Sequence, residues 1–188
     1  MEAFLVSTGI VALAEIGDKT QLLSLVLAAR YRRPLPIIAG ILLATLLNHA
    51  LASALGAWIT TTVSPAALRW LVGLSFIAMA LWILVPDKLN PDDASARNSS
   101  RYGLFGLTLM LFFMAEMGDK TQIATIALAA KYSAFSSVVA GTTLGMMIAN
   151  VPVVLLGHRL ADRLPVRAIR WVTMALFAAV GAVVLAGA

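Results

Sequence analysis

E-I-G-D-K-T-Q at residues 15–21 and E-M-G-D-K-T-Q at residues 116–122 are nearly the same charged heptapeptide, and each lies inside a long apolar run. An ionised side chain at the centre of a bilayer costs about 2.5–3.5 kcal/mol on insertion scales, so residues of this kind usually mark a functional site. What surrounds the two copies decides the fold.

The chain has 188 residues, 61% of them hydrophobic and 12% charged, with a mean hydropathy of +0.92. A soluble globular domain does not reach these values. Apolar stretches occupy 4–29, 34–60, 65–85, 102–130, 135–157 and 165–185, each long enough for the roughly 20 helical residues that cross a hydrocarbon core. Segments of alternating polarity, the mark of an outer-membrane barrel, are absent. The expected fold class is all-α, a polytopic membrane protein of six transmembrane helices.

The first stretch does not read as a signal peptide. It has no basic leader, is too long, and carries Glu15 and Asp18 in its middle. The net charge of +5 does not point to nucleic acid, because the basic residues are scattered through short loops. They report topology instead. With the first helix starting outside, the inside loops carry Arg30, Arg32, Arg33, Lys88, Arg97, Arg101, Arg159, Arg163, Arg167 and Arg170, against Arg69 and Lys131 outside. This bias predicts both termini outside an inner (plasma) membrane. The chain contains no cysteine, which excludes disulfides, thiolate metal sites and thiol redox chemistry.

Shifted by 101 residues, the sequence matches itself well beyond the heptapeptide. Phe4 meets Phe105, Tyr31 meets Tyr132, Ala39-Gly40 meets Ala140-Gly141, Leu55-Gly56 meets Leu156-Gly157, and Arg69-Trp70 meets Arg170-Trp171. The expected organisation is a three-helix unit over 1–86, a polar cytoplasmic linker over 87–101, and a second three-helix unit over 102–188. Three crossings per unit make the second unit enter from the opposite side. The repeats are therefore expected to be inverted, the recurring construction of secondary transporters with a midplane site.

Glu15 lies about eleven residues into its stretch and Glu116 about fourteen, which places both near mid-membrane. On a continuous helix Glu15 and Asp18 share a face, as do Glu116 and Asp119, with Gln21 and Gln122 nearby. Thr20 and Thr121 do not fit that arc, pointing roughly 140° away from their glutamates. A helix break at Gly17 and Gly118 is one remedy, since discontinuous helices also free backbone carbonyls at a midplane site. Lys19 and Lys120, at i+4 from their glutamates, are expected to neutralise two of the four carboxylates. The remaining two negative charges suit a divalent cation, and an all-oxygen set favours Ca²⁺, Mg²⁺ or Mn²⁺ over Zn²⁺ or Cu²⁺. Protons compete for carboxylates held in a low-dielectric surrounding, so cation/proton antiport follows from alternating access. The plainer alternative makes Glu15–Lys19 and Glu116–Lys120 helix-packing ion pairs, which leaves the repeated Asp, Gln and Thr unexplained.

The E-x-G-D-K-[TS] motif, once in each half, resembles the signature of a family of manganese and calcium exporters, the transmembrane protein 165 and MneA-like members of the cation/calcium exchanger superfamily. The resemblance covers nearly the whole chain. It implies export of Mn²⁺, or exchange of Ca²⁺ or Mn²⁺ for protons, with Glu15, Asp18, Glu116 and Asp119 as ion ligands. The ion is then substrate; no cofactor and no enzymatic activity are expected. A small-solute exporter of amino-acid type and an intramembrane hydrolase are the rival readings. The first needs an apolar or amino-binding pocket and the second a nucleophile.

Asn48, His49 and Asn150 fall near mid-depth of the second and fifth stretches, and His49 aligns with Asn150. They are candidate site neighbours, His49 as a nitrogen donor that favours Mn²⁺, or else partners in hydrogen bonds between helices. His158, beside Arg159 at a helix end, reads as solvated. Gly40 to Ala44 and Gly141 to Gly145 are equivalent small-xxx-small pairs suited to close helix packing, within one chain or in a homo-oligomer. Pro152 is expected to kink its helix. Trp58, Trp70, Trp82 and Trp171 read as interface anchors in the lipid bilayer.

Overall fold

A computed structural model describes residues 1–85, 103–156 and 166–187. The linker at 87–101, with Lys88, Arg97 and Arg101, and the segment bearing Gly157, His158, Arg159 and Arg163 lie outside the described residues. Among those described, the structure is entirely helical: α1 (Glu2–Glu15), α2 (Lys19–Tyr31), α3 (Pro34–Thr62), α4 (Pro65–Ile83), α5 (Gly103–Glu116), α6 (Lys120–Tyr132), α7 (Phe135–Leu156) and α8 (Val166–Ala186). Helices α3, α4, α7 and α8 are long and apolar enough to cross a membrane. The other four are only 13 or 14 residues each.

The difference from six continuous helices lies in the heptapeptides. Both the first and the fourth apolar stretch break there, at Gly17 (φ +80°) and Gly118 (φ +73°). A positive φ cannot continue a right-handed helix, and glycine adopts it without steric cost. The remaining boundaries also have local causes. Pro34 and Pro65 stand at the first turns of α3 and α4, where a missing N–H costs nothing. Helices α2 and α6 end on left-handed Arg32 and Ser133, whose N–H groups close back on the Ala28 and Ala129 carbonyls at 3.0 Å.

Every helix of the first half has a counterpart beginning 101 residues later. The halves are interlocked: α1 packs on α7, α3 on α5, α6 and α7, and α4 on α8. The equivalences extend to single contacts. A Cβ on Gly141 would lie 2.5 Å from the Phe4 carbonyl oxygen and 3.0 Å from Ser7 Cβ, and one on Gly40 would lie 2.9 Å from the Phe105 carbonyl oxygen and 2.7 Å from Thr108 Cβ. The small-xxx-small pairs thus seat α1 on α7 and α5 on α3 within one chain. Between α4 and α8, Phe76 packs on its own counterpart Phe177, ring centroids 5.7 Å apart.

One apolar cluster joins α1, α4, α6 and α8 through Ile10, Phe76, Met79, Leu128 and Phe177. A second joins α1, α2, α3, α5 and α7 through Val11, Leu23, Leu27, Ile41, Phe112 and Met146. The outer face of α3 is lined by exposed Leu42, Leu43, Leu46, Leu47, Leu51 and Leu55, a surface suited to hydrocarbon and not to water. All four tryptophans are exposed, as interface anchors require.

Candidate functional site

The two helix breaks meet in the interior. Glu15 is the last residue of α1; Ile16 is extended, Gly17 reverses the backbone, and Asp18 is the N-cap of α2. Glu116, Gly118 and Asp119 repeat this at the α5–α6 step. Glu15 and Asp18 therefore do not share a helical face, which corrects the i, i+3 expectation, as does the same step between Glu116 and Asp119. Each pair flanks a non-helical step, with a helix C-terminus behind the glutamate and a helix N-terminus behind the aspartate. The positive end of α2 or α6 supports its capping carboxylate.

The break resolves the misfit of the threonines. Thr20 Oγ1 donates to Glu15 Oε2 at 2.6 Å and Thr121 Oγ1 to Glu116 Oε2 at 2.9 Å. The glutamines close the step from the other side: the Gly17 N–H donates to Gln21 Oε1 at 2.8 Å and the Gly118 N–H to Gln122 Oε1 at 2.7 Å. The repeated Glu, Gly, Asp, Thr and Gln of the heptapeptide thus each build or fill the break.

The lysines do not serve their own glutamates. Lys120 pairs with Asp18, and Lys19 Nζ lies 3.3 Å from Asp119 Oδ1. Each motif sends its ammonium to the aspartate of the other, so the expected i+4 pairs are replaced by two bridges between the halves. The break is the physical reason, since it removes the helical register that would stack Lys19 over Glu15.

Glu15, Asp18, Glu116, Asp119 and Lys120 are all buried. Glu15, Asp18 and Asp119 each offer a carboxylate oxygen within 4.8 Å of the others. Oxygens on opposite sides of one ion with bonds of about 2.4 Å stand about that far apart. Glu116 is outside this trio. Glu15 Oε1, Glu116 Oε1 and Asp119 Oδ2 are buried without a hydrogen-bond partner among the described residues. Such orphan oxygens are what a cation or a proton satisfies.

Asn48 braces the second break, and Asn150 ties α2 to α7. Asn48 Oδ1 accepts from Gln122 Nε2 at 2.8 Å while its Nδ2 donates to the Phe113 carbonyl at 3.1 Å, one of the orphan carbonyls at the end of α5. At the equivalent place in the other half, Gln21 Nε2 donates to the Ala149 carbonyl at 3.1 Å, in the turn where Pro152 interrupts the α7 ladder. Asn150 Oδ1 accepts from Ser24 Oγ at 2.6 Å. His49 is buried with neither ring nitrogen bonded among the described residues. Ser24 went unnoticed in the sequence, although its match to Thr125 at the 101-residue offset was a usable signal.

Against known proteins, the chain matches the family described as divalent cation/proton antiporter GDT1 over residues 3–91 and 104–188. It is 56% identical over 178 residues to a Vibrio cholerae protein named "Putative manganese exporter", covering 94% of this chain and 87% of that one. It is 30% identical to a GDT1-like protein of Synechocystis sp., covering 94% and 93% of the two chains, and 26% identical to GDT1-like protein 5 of Arabidopsis thaliana, covering 89% and 88%. No solved structure matches.

Proposed function

This chain belongs to the divalent cation/proton antiporter GDT1 family, and we propose that it exports Mn²⁺ from the cytoplasm in exchange for protons, with Ca²⁺ as the alternative ion. It is a multi-pass membrane protein and a transporter of divalent cations; the ion, the exchange and the orientation are our reading. The observation that carries it is the trio Glu15, Asp18 and Asp119, drawn from both halves to within one ion's reach. Glu116 completes the ligand set as the pseudo-symmetric partner of Glu15.

In this reading α1–α2 and α5–α6 are each one discontinuous crossing, which gives six crossings in two inverted repeats and both termini outside the inner membrane. Inverted repeats with broken helices at the midplane favour alternating access by movement of one half against the other. Cation binding requires deprotonated carboxylates, so a proton arriving from outside and a metal ion arriving from inside compete for the same oxygens. The donors are all hard oxygens, which suits both ions; the name borne by the Vibrio cholerae relative favours Mn²⁺.

The test is uptake of Mn²⁺ and of Ca²⁺ into inside-out proteoliposomes under an imposed pH gradient, for the native chain, Glu15→Gln and Glu116→Gln. Native uptake should collapse when the gradient is dissipated, and both variants should lose at least tenfold. Full transport by both variants removes the ligand assignment. Native vesicles that move a small organic solute and neither metal remove the cation reading.

A further inference from the structure

The two halves repeat closely except along one face of their longest helices. On α3, Thr45, His49 and Ser53 follow one another at single-turn spacing; all are buried, and neither hydroxyl and neither ring nitrogen has a hydrogen-bond partner among the described residues. Several other helical hydroxyls close on the carbonyl four residues back: Thr8 on Phe4, Ser75 on Leu71, Thr108 on Leu104 and Thr142 on Val138, at 2.7–2.8 Å. Among the described residues Thr45 and Ser53 do not, and neither do Ser7 and Thr143, but only Thr45 and Ser53 stand in file with an unbonded histidine. A buried hydroxyl or imidazole left without a partner is destabilising, so such groups call for water.

The equivalent face of α7 carries Met146, Asn150 and Val154. Met146 and Val154 sit in the apolar cluster with Val11, Leu23 and Leu27, and Asn150 is bonded at both ends, to Ser24 and to the Met146 carbonyl. On that face the one polar side chain is fully paired. The counterpart of Ser24 is Thr125, whose hydroxyl turns to the Thr121 carbonyl at 2.8 Å.

We propose that Thr45, His49 and Ser53 form a water-bridged proton relay, built into the first half alone, that serves the carboxylate cluster. Successive side chains on this face are about 5.4 Å apart along the axis, a distance that one water with two hydrogen bonds spans. A neutral imidazole accepts a proton on one nitrogen and releases one from the other, so His49 passes protons with no net change. Its neighbour Asn48 is bonded to Gln122, which holds the Gly118 N–H at the second break. The titratable groups on the elements packed against α3 are Glu116 on α5, Lys120, Lys131 and Tyr132 on α6 with Asp119 at its cap, Lys19, Arg30 and Tyr31 on α2 with Asp18 at its cap, and Arg69 on α4; α7 has none. The relay rests on the cation/proton reading above.

The absence of cysteine makes the test clean. Thr45→Cys and Ser53→Cys, reconstituted singly, should react with a small water-soluble methanethiosulfonate at least tenfold faster than Met146→Cys, whose position is fully buried in the apolar cluster. Equal, slow reaction at all three positions overturns the relay. In a second arm, His49→Asn imports the residue that α7 carries at the equivalent position, Asn150. It should keep Mn²⁺-induced thermal stabilisation within twofold of native affinity while Mn²⁺ flux driven by a pH gradient falls at least tenfold. A His49→Asn protein with native flux overturns the relay too. Failure of the cation reading looks different: the native chain gains no stability from Mn²⁺ or Ca²⁺, while fast labelling of Thr45→Cys and Ser53→Cys still supports a hydrated file.

Discussion

At the residue scale, the heptapeptide is a set of instructions for one non-helical step. Gly118 has φ +73°, and nothing lies within 4 Å of where its Cβ would be, so Gly118→Ala meets conformational strain alone. The cost should be about 1–2 kcal/mol, read as a lower midpoint of unfolding in detergent; a neutral outcome would mean that the step does not need its left-handed residue. The crossed ion pairs differ in burial, and the difference should be measurable. The Lys120 side chain is 6% exposed and that of Lys19 29%, so solvent screens the second pair more than the first. Lys120→Met should destabilise by about 3–5 kcal/mol, since it leaves Asp18 with its main counter-charge removed. Lys19→Met should cost clearly less, and Asp18→Asn should recover part of the Lys120→Met loss. Equal losses from the two lysine variants would contradict the pairing.

At the element scale, the close helix contacts were legible as spacing, because small residues four apart in an apolar helix encode approach without chemistry. The helix break was legible only as one option, since glycine is also frequent in unbroken membrane helices; the misfit of Thr20 and Thr121 was the better signal. What no spacing could reveal is the exchange of lysines between motifs. Sequence offsets report neighbours on one helix, whereas Lys120 reaches Asp18 only because α2 and α6 start side by side. The roles of Ser24, Asn48 and Asn150 were hidden for the same reason. The approach of α1 to α7 gives a direct prediction. Gly141→Ala puts a methyl 2.5 Å from a backbone oxygen that cannot yield, so it should destabilise by roughly 1–3 kcal/mol. Gly9→Ala on the same α1 meets nothing within 4 Å and should be neutral or slightly stabilising, as alanine is the better helix former. Comparable losses in the two variants would show that the α1–α7 approach is not the constraint.

At the scale of the whole molecule, the repeat in the sequence anticipated two inverted three-helix units with a site between them. The structure builds its interior across the halves. Helix α1 lies on α7, α5 on α3 and α4 on α8, while α2 barely meets α3 and α3 barely meets α4. The acidic trio and both ion pairs likewise take members from each half. Neither half holds a complete site or a complete core, so the covalent connection through 87–101 contributes little beyond keeping the halves at high effective concentration. A protease site inserted within 87–101 should therefore be cleavable with little consequence. After cutting, the two fragments should co-purify in mild detergent through a tag on either one, and Mn²⁺ should still raise the unfolding midpoint of the nicked protein. Fragments that part on a sizing column without denaturant would show that the helices across the halves are held by the linker, and the interlocked arrangement would have to be abandoned.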